Sequence, residues 1–186
     1  MVYTDSGEAM IIDAGAEPCE LISFATANGL KVKYIALTHG HVDHADYVGE
    51  YISAFKDATP ICHSEEIKVL TNAEANVSAL LNMNRVYNYG FTLVDNNDVI
   101  TLGEYEFKIL NLPGHTPGSI CFYCESEKIM FTGDVLFSNT YGRTDFMYGS
   151  VQDMMNSLRA ISKMDREIRI YSGHGESEQL KNIFRY

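Results

Sequence analysis

Short runs of apolar residues, separated by glycine, proline, asparagine and aspartate, recur along the chain and predict a series of β-strands. The first two runs flank Asp5-Ser6-Gly7, a composition typical of tight turns, and predict a hairpin over residues 1–13. The remaining strands are predicted at residues 32–37, 60–62, 106–112, 119–123, 128–132 and 167–171.

Apolar residues at helical spacing predict helices between several of these strands. One begins at Pro18, a residue favoured in the first helical turn, and ends at a cap on Gly29. A second covers residues 48–55, and a third starts at the N-cap Ser150 and carries an apolar stripe. This succession of strands and helices, without a linker or a repeat, predicts one α/β domain over residues 1–186.

Two segments carry weaker patterns. Ser64-Glu65-Glu66 resembles a helix entrance, with its acids in the first turn, where the helix dipole favours negative charge. Residues 72–97 lose periodicity and are rich in asparagine, so we expect mostly loop there, with one helical turn at residues 77–81. A loop of this length can lie over a functional site.

Charge narrows the choice of partners. The sequence has 25 acidic against 14 basic side chains, a formal net charge of -11 that disfavours nucleic acid and anionic membrane surfaces. A small-molecule substrate fits this charge better. No apolar run approaches the ~20 residues that cross a bilayer. The start of the chain, Met1 to Asp5, lacks the features of a signal peptide, so we expect a cytoplasmic protein.

The four cysteines also favour a reducing compartment. Cys19, Cys62, Cys121 and Cys124 are too scattered for a disulfide framework. Cys121 and Cys124 form a C-x-x-C pattern, but residues three apart on a strand point to opposite faces. We therefore expect core side chains there rather than a redox pair or a zinc site.

Side chains of the kind that bind metals follow four of the predicted strands. They comprise five of the six histidines and two aspartates, namely His39, His41, Asp43, His44, His115, Asp134 and His174. Glycine lies beside several of them and permits sharp turns. Because these residues come from the carboxyl ends of separate strands, they can converge at one edge of the sheets.

Seven ligands exceed the roughly three or four that one tetrahedral zinc ion uses, so we expect two divalent metal ions. Zinc is the expected metal, with iron or manganese as alternatives. Asp134 stands alone after its strand and is the candidate carboxylate shared by both ions. Our mechanistic hypothesis is that the two ions activate a shared water for attack on a carbonyl carbon and stabilise the resulting oxyanion.

At these residues the sequence resembles the metallo-β-lactamase superfamily, whose H-x-H-x-D-H box matches His39 to His44. The resemblance implies a four-layer αββα sandwich, in which two mixed β-sheets are flanked by helices. It implies that Asp43 and Asp134 are catalytic as well as metal-binding. The implied ligands are His39, His41 and His115 for the first ion, Asp43, His44 and His174 for the second, and Asp134 for both.

Two further stretches, Gly133 to Phe137 and Gly142 to Phe146, resemble small glyoxalase II-like hydrolases. The implied activity is that of a hydroxyacylglutathione hydrolase-like thioesterase, which acts on S-acylated small thiols. Persulfide dioxygenases share the second stretch, and such an enzyme would hold one iron ion with His39, His115 and Asp134. A lactonase, the other alternative, would use the same dinuclear site.

Four other residues have roles that the pattern leaves open. Asp13 matches a family aspartate near the metal histidines, and it either orients one of them or forms a turn before glycine. Arg143 and Asp145 are placed to form an ion pair, which we favour over substrate contact. His63 lies outside the motif and is expected to be structural.

The sequence departs from the family pattern in three places. Longer glyoxalase II enzymes have a C-terminal helical domain that binds glutathione, whereas this chain ends at Tyr186, so the resemblance does not extend to glutathione specificity. A strand that usually precedes residues 1–3 is missing. Either the sequence is truncated there, or an edge strand is left to pair with another copy in a homo-oligomer. Met147 replaces a proline that often follows the G-R-T-D-F stretch.

Overall fold

The computed structural model describes residues 1–184, which form two β-sheets with helices on their outer faces. The strands are β1 (Val2–Tyr3), β2 (Glu8–Ile12), β3 (Lys31–Ala36), β4 (Thr59–His63), β5 (Thr92–Val94), β6 (Val99–Leu102), β7 (Tyr105–Asn111), β8 (Ile120–Cys124), β9 (Ile129–Gly133), β10 (Arg169–Ser172) and β11 (Glu178–Gln179). The helices are α1 (Cys19–Ala27), α2 (Val42–Ala45), α3 (Val48–Ala54), α4 (Ile67–Leu70), α5 (Val151–Ile161) and α6 (Leu180–Ile183), with 3-10 turns at Ser64–Glu66 and Ser78–Leu81.

Both sheets are mixed. The first has the order β1-β2-β3-β4-β5, in which β1 is antiparallel to β2 and the other neighbours are parallel. The second has the order β11-β10-β9-β8-β7-β6, in which only β9 and β10 are parallel. The parallel pairs bring the carboxyl ends of their strands to the same side of each sheet, where loops can carry a site.

Successive side chains along a strand point to opposite faces of its sheet, and the buried apolar residues form three clusters. Met10 on β2 packs between the two sheets with Phe122 of β8, whereas its neighbour Ile11 faces Tyr51 of α3 on the outer side. The third cluster lies on the outer face of the second sheet and contains Met154 of α5. Three apolar interfaces between four layers confirm the predicted αββα sandwich of two mixed sheets flanked by helices.

Helix α5 begins where the sequence predicts it, directly after the N-cap Ser150. The hydroxyl of Ser150 accepts a hydrogen bond of 3.2 Å from the backbone nitrogen of Asp153, which satisfies a free donor of the first turn. Met154 and Ile161, seven residues apart, are fully buried on one face of the helix. Within residues 1–184, no helix is both long enough and apolar enough to span a bilayer.

Several local predictions need correction. The predicted loop at residues 72–97 contains β5, a three-residue strand whose first two side chains are exposed and therefore give no alternating pattern. At the predicted helix entrance, the cap is the ring of His63, which accepts from the backbone nitrogen of Glu65 at 3.2 Å, rather than Ser64. Cys121 and Cys124 face different apolar clusters, as the spacing predicts.

Candidate metal centre

The candidate ligands follow four strands drawn from both sheets, and the fold brings them to one place. His39, His41, Asp43 and His44 follow β3, His115 follows β7, Asp134 follows β9, and His174 follows β10. Asp43 and His44 lie in the first turn of α2, which begins directly after His41. The two sheets therefore each contribute loops to the same cluster.

The seven side chains form three overlapping groups in which the ligand atoms lie within 4.8 Å of one another. The groups are His39, His41 and His115; His39, His44 and Asp134; and Asp43, His44 and His174. Every predicted ligand belongs to at least one group. The first group is almost fully buried, whereas the side chains of Asp43 and His174 are 54% and 55% exposed. The cluster therefore opens to solvent on the side of Asp43 and His174.

Asp134 lies between the buried and the exposed parts of the cluster. Its Oδ1 is 3.3 Å from Nε2 of His44, and its Oδ2 is 3.7 Å from Nε2 of His115 and 3.6 Å from Nε2 of His174. A side chain at Gly173 would collide with Asp134 and with the ring of His44. Glycine before His174 is therefore what allows this close approach.

Asp13 and Thr38 orient two of the histidine rings. Asp13 accepts hydrogen bonds from the backbone nitrogen of Thr38 at 2.7 Å and from its hydroxyl at 2.9 Å. Because that hydroxyl proton is used, Nδ1 of His39, 3.0 Å away, must be the donor to the hydroxyl oxygen. Nδ1 of His44 lies 2.8 Å from Oδ2 of Asp13 and donates to it. In both rings Nε2 is therefore the nitrogen that faces the cluster.

A backbone carbonyl group orients the ring of His115 in the same way. Its Nδ1 lies 2.8 Å from the carbonyl oxygen of Arg143, which can only accept, so this nitrogen carries the proton. Nε2 of His115 then presents a lone pair toward Nδ1 of His41, 2.9 Å away. Two ring nitrogens this close are suited to share one cation as ligands.

Three buried polar atoms of the cluster lack hydrogen-bond partners in the part of the chain that the structure describes. They are Nε2 of His39, Oδ1 of Asp134, whose 3.3 Å approach to Nε2 of His44 lacks hydrogen-bond geometry, and Nε2 of His41, the ring nitrogen opposite the one that faces His115. Unpartnered buried polar atoms are costly unless another group satisfies them. Imidazole nitrogens and a carboxylate are ligands that zinc, iron and manganese accept. The residues therefore fit a divalent metal centre.

The protonation states also suit metal binding. Burial and the neighbouring histidines lower the pKa of His39 well below its usual range, and burial with the influence of His115 lowers the pKa of His41 to about 3. Burial also lowers the pKa of His115. At Asp134 burial opposes ionisation, but the neighbouring His44 outweighs that effect and lowers the pKa. Neutral imidazoles at His39, His41 and His115 beside an ionised carboxylate are the forms that bind metals. His44 differs, because its burial is outweighed by Asp13 and Asp134, which raise its pKa, so a metal ion would displace a proton from this ring.

Glu66 is a buried carboxylate that the sequence analysis placed only at a helix entrance. Its Oε2 accepts from the backbone nitrogen of Gly40 at 2.6 Å, and its Oε1 accepts from that of Gly118 at 2.8 Å. Burial raises the pKa of Glu66 to about 7, although these donors and the hydroxyl of Thr116 oppose the change. Glu66 thus ties the loop that carries His39 and His41 to the loop that carries His115.

Arg143 and Asp145 form the expected ion pair at the mouth of the cluster. Nε and Nη2 of Arg143 lie 2.6 Å and 2.7 Å from the two carboxylate oxygens of Asp145, a bidentate arrangement. The guanidinium carbon also lies 4.0 Å from the ring centroid of Phe146. The edge of Phe146 in turn meets the ring of His41, with centroids 5.6 Å apart.

A cavity of 440 Å³ adjoins the cluster. It is lined by His41, Val42, Asp43, Val77, Leu81, His115, Asp134, Phe137, Gly142, Arg143 and Phe146. Four of these belong to the metal cluster, and most of the others are apolar. Val77 and Leu81 come from the segment expected to lie over a site. The candidate ligands therefore face a chamber large enough for a small organic molecule.

Comparison with known proteins gives concordant results. The model of the family described as "Metallo-beta-lactamase superfamily" matches residues 1–174. Hydroxyacylglutathione hydrolase GloC of Haemophilus influenzae is 34% identical over 186 residues, which covers 94% of this chain and 84% of that protein. The structure of BLEG-1, a B3 metallo-beta-lactamase, is 30% identical with a TM-score of 0.89 and covers 97% of this chain and 88% of its own. TTHA1623, solved in a di-iron-bound form, is 28% identical with a TM-score of 0.81 and covers 92% and 84%.

The extent of the family match agrees with the fold and with the cluster at the ends of β3, β7, β9 and β10. The chain belongs to the metallo-beta-lactamase superfamily of metal-dependent hydrolases.

Proposed function

We propose that this protein is a thioesterase that hydrolyses S-acylated small thiols in the cytoplasm. The main observation in support of a metal-dependent hydrolase is the cluster of seven convergent candidate ligands, in which three buried polar atoms lack hydrogen-bond partners among the described residues. His39, His41 and His115 would hold one ion, Asp43, His44 and His174 a second, and Asp134 both. When bound, such ions supply Lewis acidity toward a carbonyl oxygen and activate water at neutral pH.

The lining of the cavity favours a thioester over other acyl compounds. Of its described lining residues, Arg143 is the only titratable side chain outside the proposed ligand set, and an arginine does not give up its proton. No side chain there is available to protonate a leaving group. A thiolate leaves without such help, whereas an alkoxide or an amine does not leave readily as an anion. In the net reaction water adds to the carbonyl carbon, the C–S bond breaks, and an acid and a thiol are released.

The names of relatives support the same reaction class. GloC of Haemophilus influenzae carries the name hydroxyacylglutathione hydrolase. The complete group of Asp43, His44 and His174 favours hydrolysis over the single-iron persulfide oxidation that His39, His115 and Asp134 alone would suggest. The buried, unpaired state of Cys62, Cys121 and Cys124 supports the cytoplasmic assignment.

A substrate panel on one preparation tests this function. Metal content is first measured by elemental analysis, and the protein is then assayed with a thioester, an oxygen ester, a lactone and a β-lactam, each against its uncatalysed rate. We expect the thioester to show the largest rate enhancement, and chelation to abolish it. A larger enhancement for the lactone or the β-lactam, or oxygen consumption with a persulfide, would replace the thioesterase assignment.

A further inference from the structure

The cavity beside the metal cluster is lined by apolar residues from separate segments of the chain, which we call its apolar wall. Val77 and Leu81 come from the loop that follows α4, and Phe137 and Phe146 come from the region between β9 and α5. Leu81 is 58% exposed, so an apolar surface faces solvent at the cavity mouth. Apolar surface of this kind beside a reaction centre commonly contacts a ligand.

The two aromatic side chains of the wall lie directly beside the proposed ligands. The ring of Phe146 meets that of His41, and the ring centroid of Phe137 lies 6.3 Å from that of His174. A carbonyl group placed at the cluster would therefore have an apolar surface next to it. The carbonyl carbon of a thioester carries an acyl chain and a sulfur atom. With the thiol part directed to solvent on the side of Asp43 and His174, the acyl chain is the group that would contact this surface.

Val77 adopts a backbone conformation that valine rarely takes. Its φ is 70°, in the left-handed region, where a β-branched side chain is strained. Such a conformation persists only when the surrounding structure enforces it, and it is concentrated at functional sites. Val77 is one of the residues that line the cavity, so the strained position lies at the proposed site.

The residues on either side of Val77 enforce this conformation. Asn76 is fully buried and its amide donates to the carbonyl oxygens of Leu70 and Arg85, at 3.3 Å and 3.0 Å. The side chain of Asn76 also accepts from the backbone nitrogen of Ser78 at 3.0 Å. The carbonyl of Asn76 accepts from the backbone nitrogen of Val42, the first residue of α2, at 2.9 Å. The strained residue is thus tied to the helix that carries Asp43 and His44.

A second set of contacts fixes the far end of the loop. The hydroxyl of Tyr87 and Nε of Arg85 both lie 3.1 Å from Oδ1 of Asp46, the residue that follows α2. The backbone nitrogen of Tyr87 donates to Leu70 at 2.9 Å. The loop is therefore anchored to the metal-binding segment at both ends, and its apolar wall is formed in advance of substrate binding.

The scarcity of polar side chains in the cavity disfavours an acyl chain that carries a hydroxyl group. Apart from the proposed ligands, Arg143 is the one described lining residue with a polar side chain; it can only donate, and Asp145 takes two of its donors. A hydroxyl buried there would find no side chain outside the ligand set to accept its proton, which is unfavourable. An alkyl chain would gain by burial against the wall.

We propose that Val77, Leu81, Phe137 and Phe146 form the acyl subsite, and that the preferred substrates are thioesters with an unsubstituted apolar acyl chain. This inference rests on the proposed thioesterase function and narrows its substrate class. A buried methylene contributes about 0.8 kcal/mol, so each added methylene should raise kcat/KM about 4-fold until the cavity is filled. A propanoyl thioester should likewise be preferred over its 2-hydroxypropanoyl counterpart.

Two neighbouring leucines provide a matched test. Leu81 lines the cavity, whereas Leu80 is 69% exposed and does not line it. The metal-loaded wild-type protein and the variants Leu81→Ser and Leu80→Ser are assayed with acetyl, propanoyl, butanoyl, hexanoyl and 2-hydroxypropanoyl esters of one thiol. Thermal unfolding of each variant verifies folding. We expect Leu81→Ser to flatten the dependence of kcat/KM on chain length, and Leu80→Ser to retain the wild-type dependence.

The possible failures are distinguishable. If the protein hydrolyses thioesters but chain length leaves kcat/KM unchanged, or if the two serine variants behave alike, the acyl subsite is wrong and the thioesterase stands. If the 2-hydroxypropanoyl ester is the better substrate, the preference for an unsubstituted chain is wrong. If no thioester in the series is hydrolysed, the proposed function fails and the subsite fails with it.

Discussion

Oδ2 of Asp13 lies 2.8 Å from Nδ1 of His44, and the same carboxylate holds Thr38, whose hydroxyl lies 3.0 Å from Nδ1 of His39. One acidic side chain thus fixes rings in two different ligand groups. Asp13 reaches this position with a φ of 58°, a left-handed conformation that aspartate tolerates better than most residues. We propose that Asp13 orients the histidines, in addition to turning the chain after β2.

Replacing Asp13 by asparagine should weaken metal binding. Thr38 donates to both carboxylate oxygens, so an amide must turn its NH2 group toward a donor whichever way it is oriented. We expect metal affinity to fall about 10- to 100-fold, the usual effect of losing an outer partner of a ligand histidine. Competition with a chromogenic chelator measures this. Asp5→Asn, in the exposed first turn, is the control; equal affinities in both variants would contradict the role of Asp13.

Replacing Glu66 by glutamine should destabilise the fold near the site. Both carboxylate oxygens accept from backbone nitrogens, of Gly40 and Gly118, so the amide nitrogen of glutamine would face a donor. A buried donor left unsatisfied costs about 1–3 kcal/mol. Urea unfolding measures the loss in the free energy of unfolding, and chelator competition should show weaker metal binding in the same variant.

Its neighbour Glu65 supplies the control for that experiment. The side chain of Glu65 is 53% exposed and forms an ion pair with Lys68 at the surface. An exposed ion pair of this kind contributes about 0–1 kcal/mol, so Glu65→Gln should leave stability and metal binding nearly unchanged. Equal losses in the two variants would mean that Glu66 acts through charge alone.

The layers of this fold are predictable from the sequence because most strands contain several apolar residues in succession. β2, β3, β8 and β9 carry apolar side chains on both faces, and such runs are visible without a structure. β5 and β11 are short and most of their side chains are not buried, and β5 in addition pairs with β4, far back along the chain. Pairing of that kind leaves no local signal.

The metal cluster is predictable to a similar degree, since its ligands follow strand ends and stand beside glycine. The buried position of Glu66 was not predicted, although the sequence contains a signal for it. Val69 and Leu70, three and four residues later, are buried, which places Glu66 on the apolar face of that turn. The conformation of Val77 has no such signal. Its φ of 70° follows from hydrogen bonds of Asn76 with Leu70 and Arg85, and local propensity opposes it.

The thiols should differ sharply in reactivity. Cys19 is exposed, whereas Cys62, Cys121 and Cys124 are buried. Burial raises the pKa of Cys62 to about 12 and that of Cys121 well above its usual range. A raised pKa leaves less thiolate, the reactive form, at any given pH. Iodoacetamide at mildly alkaline pH should therefore modify Cys19 alone in the folded protein and every cysteine after unfolding, as peptide mass spectrometry would show. Modification of Cys121 or Cys124 at the rate of Cys19 would contradict their burial.

The two aspartates of the cluster should differ in how much metal their loss releases. Asp134 lies within 3.7 Å of His44, His115 and His174, whereas Asp43 lies 3.8 Å from His44 and 3.1 Å from His174. Asp134→Ala should lose both metal ions and all activity, while Asp43→Ala should retain the ion at the buried histidines. Elemental analysis after dialysis distinguishes them. Because a bound ligand stabilises the folded state, EDTA should lower the melting temperature of the wild type but not of Asp134→Ala. Turnover by metal-free Asp134→Ala would exclude metal-dependent hydrolysis.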